Sequence, residues 1–382
     1  MAASIAANAC YVLTVQVLAL VSLPAAGFGV FSIQYLMFAL AGSISLSVIC
    51  EPWLRSVIHD GETSSWRDYS SMLVYLAGAA GLATLAVSLL VPSARPVALS
   101  GAVAVFASTY RSGTRYHEVR GQNWNRILAS DVSGIATTIA MWGSLSFAGA
   151  GELQAMSSAW AAGAIVTALI SPVPRVNRIN RIGDWLTKHK KHVRPLLRDS
   201  LLMDLGAIGT PFLIAPLLGI ANFGVYRAVS NVAAPVRLVL NPLRPTLASI
   251  SLTRHSSRKV VVGVVATSAI FGLGAYCALI LIGTLQFDLG ALTALVPFAA
   301  PTGLFVASNF LGHYYYVVAR SHSAGPALLV GRLTQTVLSI ASPIVGVLVW
   351  GLPGAIWGMA IATMFSAIVW NTLAVRDGRG MA

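Results

Sequence analysis

Charge is scarce in this 382-residue chain: 10% of the residues are charged, against 56% hydrophobic. A soluble domain carries about 25% charged residues, so the composition excludes an ordinary water-soluble fold. Lysine is nearly missing, with four residues beside 21 arginines. Cysteine is sparse too: Cys10, Cys50 and Cys277 each lie in an apolar segment. Their spacing fits neither a disulfide framework nor a metal site. No glycine-rich phosphate loop with its lysine occurs, which excludes a nucleotide-driven motor within the chain. His189 and His192 stand among lysines and His313 stands alone beside three tyrosines. No constellation for acid-base or nucleophilic chemistry emerges, and no cofactor or metal is expected.

Long apolar runs are what the chain does have. A membrane-spanning helix needs about 20 mainly apolar residues. With Gly, Pro and charge as punctuation, the hydropathy pattern predicts twelve spans: 4–23, 28–50, 71–91, 96–110, 128–148, 153–172, 199–219, 222–250, 260–284, 291–317, 325–350 and 353–374. The first run has no basic lead-in, which favours a first membrane helix over a cleavable signal. The fold class expected is an all-α polytopic membrane protein.

Positive charge sets the orientation. With the N-terminus placed in the cytoplasm, twenty Arg and Lys residues fall in inner segments and only Arg95 in an outer one; Arg227, Arg237, Arg244 and Arg332 lie within spans. Such asymmetry is the mark of inside-facing loops, so both termini are expected in the cytoplasm. It also accounts for the net charge of +13 without nucleic acid. The outer loops are a few residues each, leaving no room for an extracytoplasmic catalytic domain. Trp142, Trp350 and Trp357 near outer span ends, and Tyr314, Tyr315 and Tyr316 near an inner one, suit interfacial anchoring.

The basic stretch 173–198 divides the chain into an N-terminal six-helix bundle, 1–172, and a C-terminal one, 199–382. The halves repeat weakly. Gly27-Phe28-Gly29-Val30-Phe31 opens the second span, and Asn222-Phe223-Gly224-Val225-Tyr226 opens the eighth. An even number of spans per half makes this a parallel repeat, its pseudo-axis along the membrane normal. Within the linker, Ile179, Ile182, Leu186 and Val193 share a helical face, with Trp185 adjoining and Arg178, Arg181, Lys188, Lys190 and Lys191 around it. Such a segment (175–194) either lies on the inner leaflet and binds its anionic lipids or is a solvated loop.

The run Leu217-Leu218-Gly219-Ile220-Ala221-Asn222-Phe223-Gly224-Val225-Tyr226-Arg227-Ala228, followed by Pro235 and Leu243-Arg244-Pro245-Thr246-Leu247, resembles the seventh-to-eighth helix region of polysaccharide-biosynthesis flippases. Leu23-Pro24-Ala25-Ala26-Gly27-Phe28-Gly29-Val30-Phe31-Ser32 resembles their N-terminal pattern. These flippases belong to the multidrug/oligosaccharidyl-lipid/polysaccharide (MOP) exporter superfamily. The resemblance implies two six-helix bundles facing each other across a central cavity, in a bacterial inner membrane. It also implies transfer of an undecaprenyl-pyrophosphate-linked glycan from inner to outer leaflet, alongside other membrane proteins of polysaccharide assembly.

The eighth span carries the residues that suit such a cargo. Arg227, Ser230, Ala234, Arg237, Asn241 and Arg244 follow helical spacing on one face. A guanidinium within the hydrocarbon core costs several kcal/mol unless it faces water, an acid or an anion, and its fork matches phosphate oxygens. Arg332, with Gln335 one turn on, would extend the lining. Asp131 and Asp204 either pair structurally with arginines or bind a coupling cation or proton. Three function classes stay open: a lipid-linked-oligosaccharide flippase; a multidrug or cation antiporter, whose cavity would favour acids; and a membrane-embedded glycan polymerase or acyltransferase. The excess of Arg over Asp within the spans favours the first.

Overall fold

The computed structural model describes residues 2–59, 65–176, 181–236, 240, 247, 250–322 and 325–380, and these are helical nearly throughout. The chain forms two compact units. The first comprises Met1–Leu23 and Val30–Asp204, and the second Pro24–Gly29 and Leu205–Ala382.

The first unit holds six membrane-length helices. These are α1 (Ala2–Ser22), α2 (Ala25–Ser45), α4 (Trp66–Leu90), α5 (Ala98–Arg120), α6 (Trp124–Phe147) and α7 (Glu152–Ile170). A π-helical turn, Leu46–Cys50, joins α2 to a short α3 (Glu51–His59). Ser65 caps α4 by accepting the Asp68 amide at 3.2 Å, which satisfies one of the orphan donors of the first turn. Small residues set the tightest packing. A Cβ on Gly163 would overlap the Thr138 hydroxyl, and one on Gly134 would overlap the Thr167 methyl. α6 and α7 therefore approach as membrane helices do where Gly and Thr face each other.

The fourth span is longer than hydropathy predicts. α5 runs to Arg120, so Arg111 and Arg115, assigned above to an inner loop, lie on a helix and are largely buried. The window stops at Tyr110 because each Arg outweighs several apolar neighbours, and hydropathy does not register the acids that compensate it.

The basic linker is also helical. It forms α8 (Arg181–Lys188) and α9 (Lys190–Asp204), and α9 continues through a π turn, Leu205–Gly209, into α10 (Thr210–Val232). Trp185 is buried among Ile49, Trp53, Tyr69 and Met72, and its indole N–H donates to the Val48 carbonyl at 3.1 Å. Val193 is buried and Leu186 exposed, so the buried stripe is rotated toward Trp185; Ile179 and Arg178 lie outside the described residues. α8 thus docks on the first bundle.

The second unit has six legs. Gly219 (φ 71°) bends α10 into two. After the short α11 (Leu252–His255) come α12 (Arg258–Thr284) and a 3-10 stretch, Gly290–Phe298. α13 (Ala299–His322) and α14 (Gly325–Gly380) follow, and Gly351 (φ 62°) bends α14 into two legs. The twelve legs match the twelve expected spans. Among the described residues, seven continuous segments are long and apolar enough to cross a membrane, and two of these, Lys190–Val236 and Ala327–Ala374, each contain two legs.

Gly29 and Gly224, equivalent positions of the two repeat motifs, meet within the second unit. A Cβ on Gly29 would overlap the Ile220 carbonyl oxygen, and one on Gly224 that of Ala25. Tyr314 and Tyr315 pack inward rather than at an interface. Tyr315 is fully buried, and the Tyr314 hydroxyl bonds His255 Nδ1 at 2.9 Å.

Candidate functional site

Arg111, Arg115 and Glu118 recur at helical spacing on α5, so they share a face. Arg111 Nη1 donates to Glu118 Oε2, and its Nη2 donates to Asp131 Oδ1 on α6 at 3.2 Å. Arg115 Nη1 donates to the other Asp131 oxygen at 3.0 Å, and its Nη2 donates to the Ser4 carbonyl of α1 at 3.0 Å. Asp131 therefore holds one guanidinium on each carboxylate oxygen, and the Glu118 and Asp131 charges offset the two arginines. Placing charge-assisted bonds on both oxygens is what makes such burial tolerable.

A cavity of about 40 Å³ adjoins this cluster, with Tyr11, Tyr35, Ser112, Arg115, Asp131 and Trp160 among its walls. It has room for about one water, not for a sugar. Aromatic rings form part of its wall: Tyr35 and Trp160 both line it, their centres 5.9 Å apart. Asp204 is not among its walls. That carboxyl is buried at the end of α9, beside the Ser43 hydroxyl, and its Oδ2 accepts no hydrogen bond among the described residues.

Of the predicted stripe, Arg237, Asn241 and Arg244 lie outside the described residues. Arg227 is buried on the second leg of α10. Ser230 donates its hydroxyl to the Arg227 carbonyl at 2.8 Å, a bond within its own helix. Arg332 and Gln335 do come together, with two residues that spacing did not reveal. Arg332 Nη2 donates to the Tyr316 hydroxyl at 2.7 Å, and its Cζ lies 4.7 Å from that ring's centre. Trp370 donates its indole N–H to Gln335 Oε1 at 3.2 Å and packs edge-on against Tyr316 at 5.3 Å.

The two halves differ sharply in acids. From Leu205 onward the only carboxylate side chains are Asp288 and Asp377, both outside the predicted spans, whereas Arg227, Arg237, Arg244 and Arg332 all fall within them. Beyond Asp204, at the start of the predicted seventh span, the second half thus has no carboxylate within its predicted spans. On the linker, Lys188, Lys190, Lys191 and Arg194 are exposed around one surface depression. No group of three or more His, Cys, Asp or Glu that could hold a metal ion occurs among the described residues.

No family model and no curated protein matches the sequence. The fold does match solved structures. An outward-facing multidrug resistance MATE-family transporter of the MOP superfamily superposes with a TM-score of 0.57 at 15% identity, covering 99% of this chain and 97% of that one. The lipid II flippase MurJ, in an inward closed conformation, gives 0.63 at 12% identity, covering 97% and 87%. The MATE transporter ClbM, in complex with Rb⁺, gives 0.53 at 12% identity, covering 100% and 95%. The chain shares its all-helical fold with these solved structures.

Proposed function

We propose that this protein translocates an anionic lipid-linked oligosaccharide, of the undecaprenyl-pyrophosphate type, from the inner to the outer leaflet of a bacterial membrane. It would do so by alternating access, for cell-surface polysaccharide biosynthesis, as a transporter rather than an enzyme. The observation that carries this reading is the charge balance. Four span arginines in the second half outnumber its one span carboxylate, Asp204, and in the first half both Glu118 and Asp131 are committed to arginines. A cargo with a pyrophosphate group supplies negative charge to this arginine-rich half, and guanidinium forks match its oxygens. Arg227, Arg237, Arg244 and Arg332 would contact it, with Ser230 and Asn241 beside them. Asp204, buried with one free oxygen, suits a coupling cation or proton better than the doubly bonded Asp131. The exposed linker lysines would rest on anionic lipids of the inner leaflet.

The cation-antiporter reading draws support from the MATE likeness. It needs an acid free to attract cationic drugs; Asp131 is not one, which leaves Asp204 as the single candidate among the described residues within the spans. The test is reconstitution of the purified chain in liposomes holding a lipid-pyrophosphate-linked oligosaccharide, with glycan exposure read by an impermeant lectin. Transfer above protein-free vesicles supports the proposal. Efflux of a lipophilic cation with no glycan transfer refutes it.

A further inference from the structure

α7 ends at Ile170, and the residues that follow, Ser171-Pro172-Val173-Pro174-Arg175-Val176, are not helical. The two prolines account for this. Each lacks an N–H, and each disfavours the helical region for the residue before it. Irregular backbone ordinarily runs through water, because its N–H and C=O groups need partners. Here side chains of the first bundle are the partners. Tyr110 of α5 donates its hydroxyl to the Pro172 carbonyl at 2.7 Å, and Trp66 of α4 donates its indole N–H to the Val173 carbonyl at 3.0 Å. Ser70 and Ser71 of α4 direct their hydroxyls to the Arg175 carbonyl at 3.1 Å each. The Arg175 N–H donates to the Ser70 hydroxyl at 3.1 Å, and the Ser171 N–H to the Ala168 carbonyl at 3.2 Å.

The apolar side chains are left outside. Val173 is 77% exposed and Val176 47%, and Leu169, in the last turn of α7, is 76% exposed. A lone exposed valine carries no message, since much of any protein surface is apolar. Two facts give this pair its meaning. First, α7 is long and apolar enough to cross a membrane, so its exposed Leu169 faces lipid, and Val173 continues that apolar exposure just past the helix end. Second, the main chain beneath asks little of water. Hydrocarbon tolerates non-helical backbone only where protein satisfies its polar groups. The carbonyls of Pro172, Val173 and Arg175 are bonded, as are the N–H groups of Ser171 and Arg175, and the prolines have no N–H to satisfy.

We propose that residues 171–176 form a lipid-embedded strap, with Val173 and Val176 set among the acyl chains of the leaflet in which α7 ends. The partner is the bilayer itself. Trp66, Ser70, Ser71 and Tyr110 stand in for the water that the strap's main chain would otherwise need. Arg175 is exposed, and its long stem lets the guanidinium reach the headgroups from this depth. The strap is distinct from the lysine surface further along the linker, which would lie on the headgroups, and it requires no particular cargo.

Fluorescence of the full chain in phosphatidylcholine vesicles, where no anionic lipid draws the lysines down, tests this. Cys10→Ala and Cys277→Ala remove the two exposed thiols. A small polarity-sensitive dye is then attached to a single new cysteine, at Val173→Cys or Val176→Cys. Leu169→Cys is the reference in lipid and Lys190→Cys the reference on the exposed linker, with helical content by circular dichroism as the check on folding. The dye at 173 should emit at a shorter wavelength than at 190 and be quenched by a nitroxide on the lipid chain as strongly as at 169. Iodide present on both sides of the membrane should quench it about fivefold less than at 190, as hydrocarbon excludes the ion. The dye at 176 should behave as at 173. Emission and iodide quenching at 173 equal to those at 190, in folded protein, would overturn the proposal, whatever the dye at 176 reports.

Discussion

Arg111 and Asp131 are joined at 3.2 Å across α5 and α6, with the second Asp131 oxygen held by Arg115 at 3.0 Å. Both partners of the first pair are almost fully buried. The pair thus belongs to the architecture of the first bundle. Removing one side of such a pair strands the other, at about 3–5 kcal/mol. Asp131→Asn is expected to lower the thermal unfolding temperature of the detergent-solubilised protein clearly. Adding Arg111→Gln to Asp131→Asn should not recover the loss, since it strands the buried Glu118 as well as Arg115. A single variant as stable as the original protein would show that the pair holds nothing together.

Gly29 and Gly224 leave no room for a side chain between the two segments they join. Overpacking of this kind costs about 1–3 kcal/mol. Gly224→Ala should therefore unfold at a lower temperature. Gly274→Ala serves as the control, because nothing lies within 4 Å of its added Cβ; it should be neutral or slightly stabilising.

Gly351 bends α14 at φ 62°, ψ −141°, and Gly219 bends α10 at φ 71°, ψ 163°. Both conformations are nearly closed to L-residues with a side chain, at a cost of about 1–3 kcal/mol. Open space surrounds both positions, so an alanine there is penalised by backbone conformation alone. Each Ala variant should lose stability by that amount, measured by thermal unfolding, without a packing defect.

Trp185 fastens the linker helix to the first bundle through its buried ring and its bond to Val48. Truncating a buried Trp costs about 3–5 kcal/mol. Here the loss should fall on the linker: Trp185→Ala should speed limited proteolysis between residues 173 and 190, with the membrane helices left intact. Unchanged cleavage would show that the helix is held by other contacts.

Much of the fold was legible in the sequence because the bilayer imposes a simple rule: each leg is an apolar run between punctuating Gly, Pro or Arg. Gly219 and Gly351 stand where the text of the chain marks a turn, and the structure bends there. Arg111 and Arg115 defeated the rule. A hydropathy window subtracts each charge separately, whereas Asp131 and Glu118 cancel them in space from 20 and 7 residues away. Tyr316 was read as an interfacial anchor beside Tyr314 and Tyr315. Spacing cannot show that a residue on α13 meets Arg332 on α14, since that contact depends on how two helices pair. Trp185 adjoined the predicted apolar stripe but proved to be its centre. The stripe was drawn from periodicity alone, and the docking surface of Ile49, Tyr69 and Met72 comes from distant parts of the chain.

The central claim is that the cargo is anionic and lipid-linked. Its most direct measurement is glycan exposure in proteoliposomes, comparing the original chain with Arg227→Gln, a buried arginine of the second half. The expected result is lectin-accessible lipid-pyrophosphate-linked oligosaccharide with the original protein and at least tenfold slower exposure with the folded variant. No exposure above protein-free vesicles with the original chain, or equal rates for both proteins, would contradict the account.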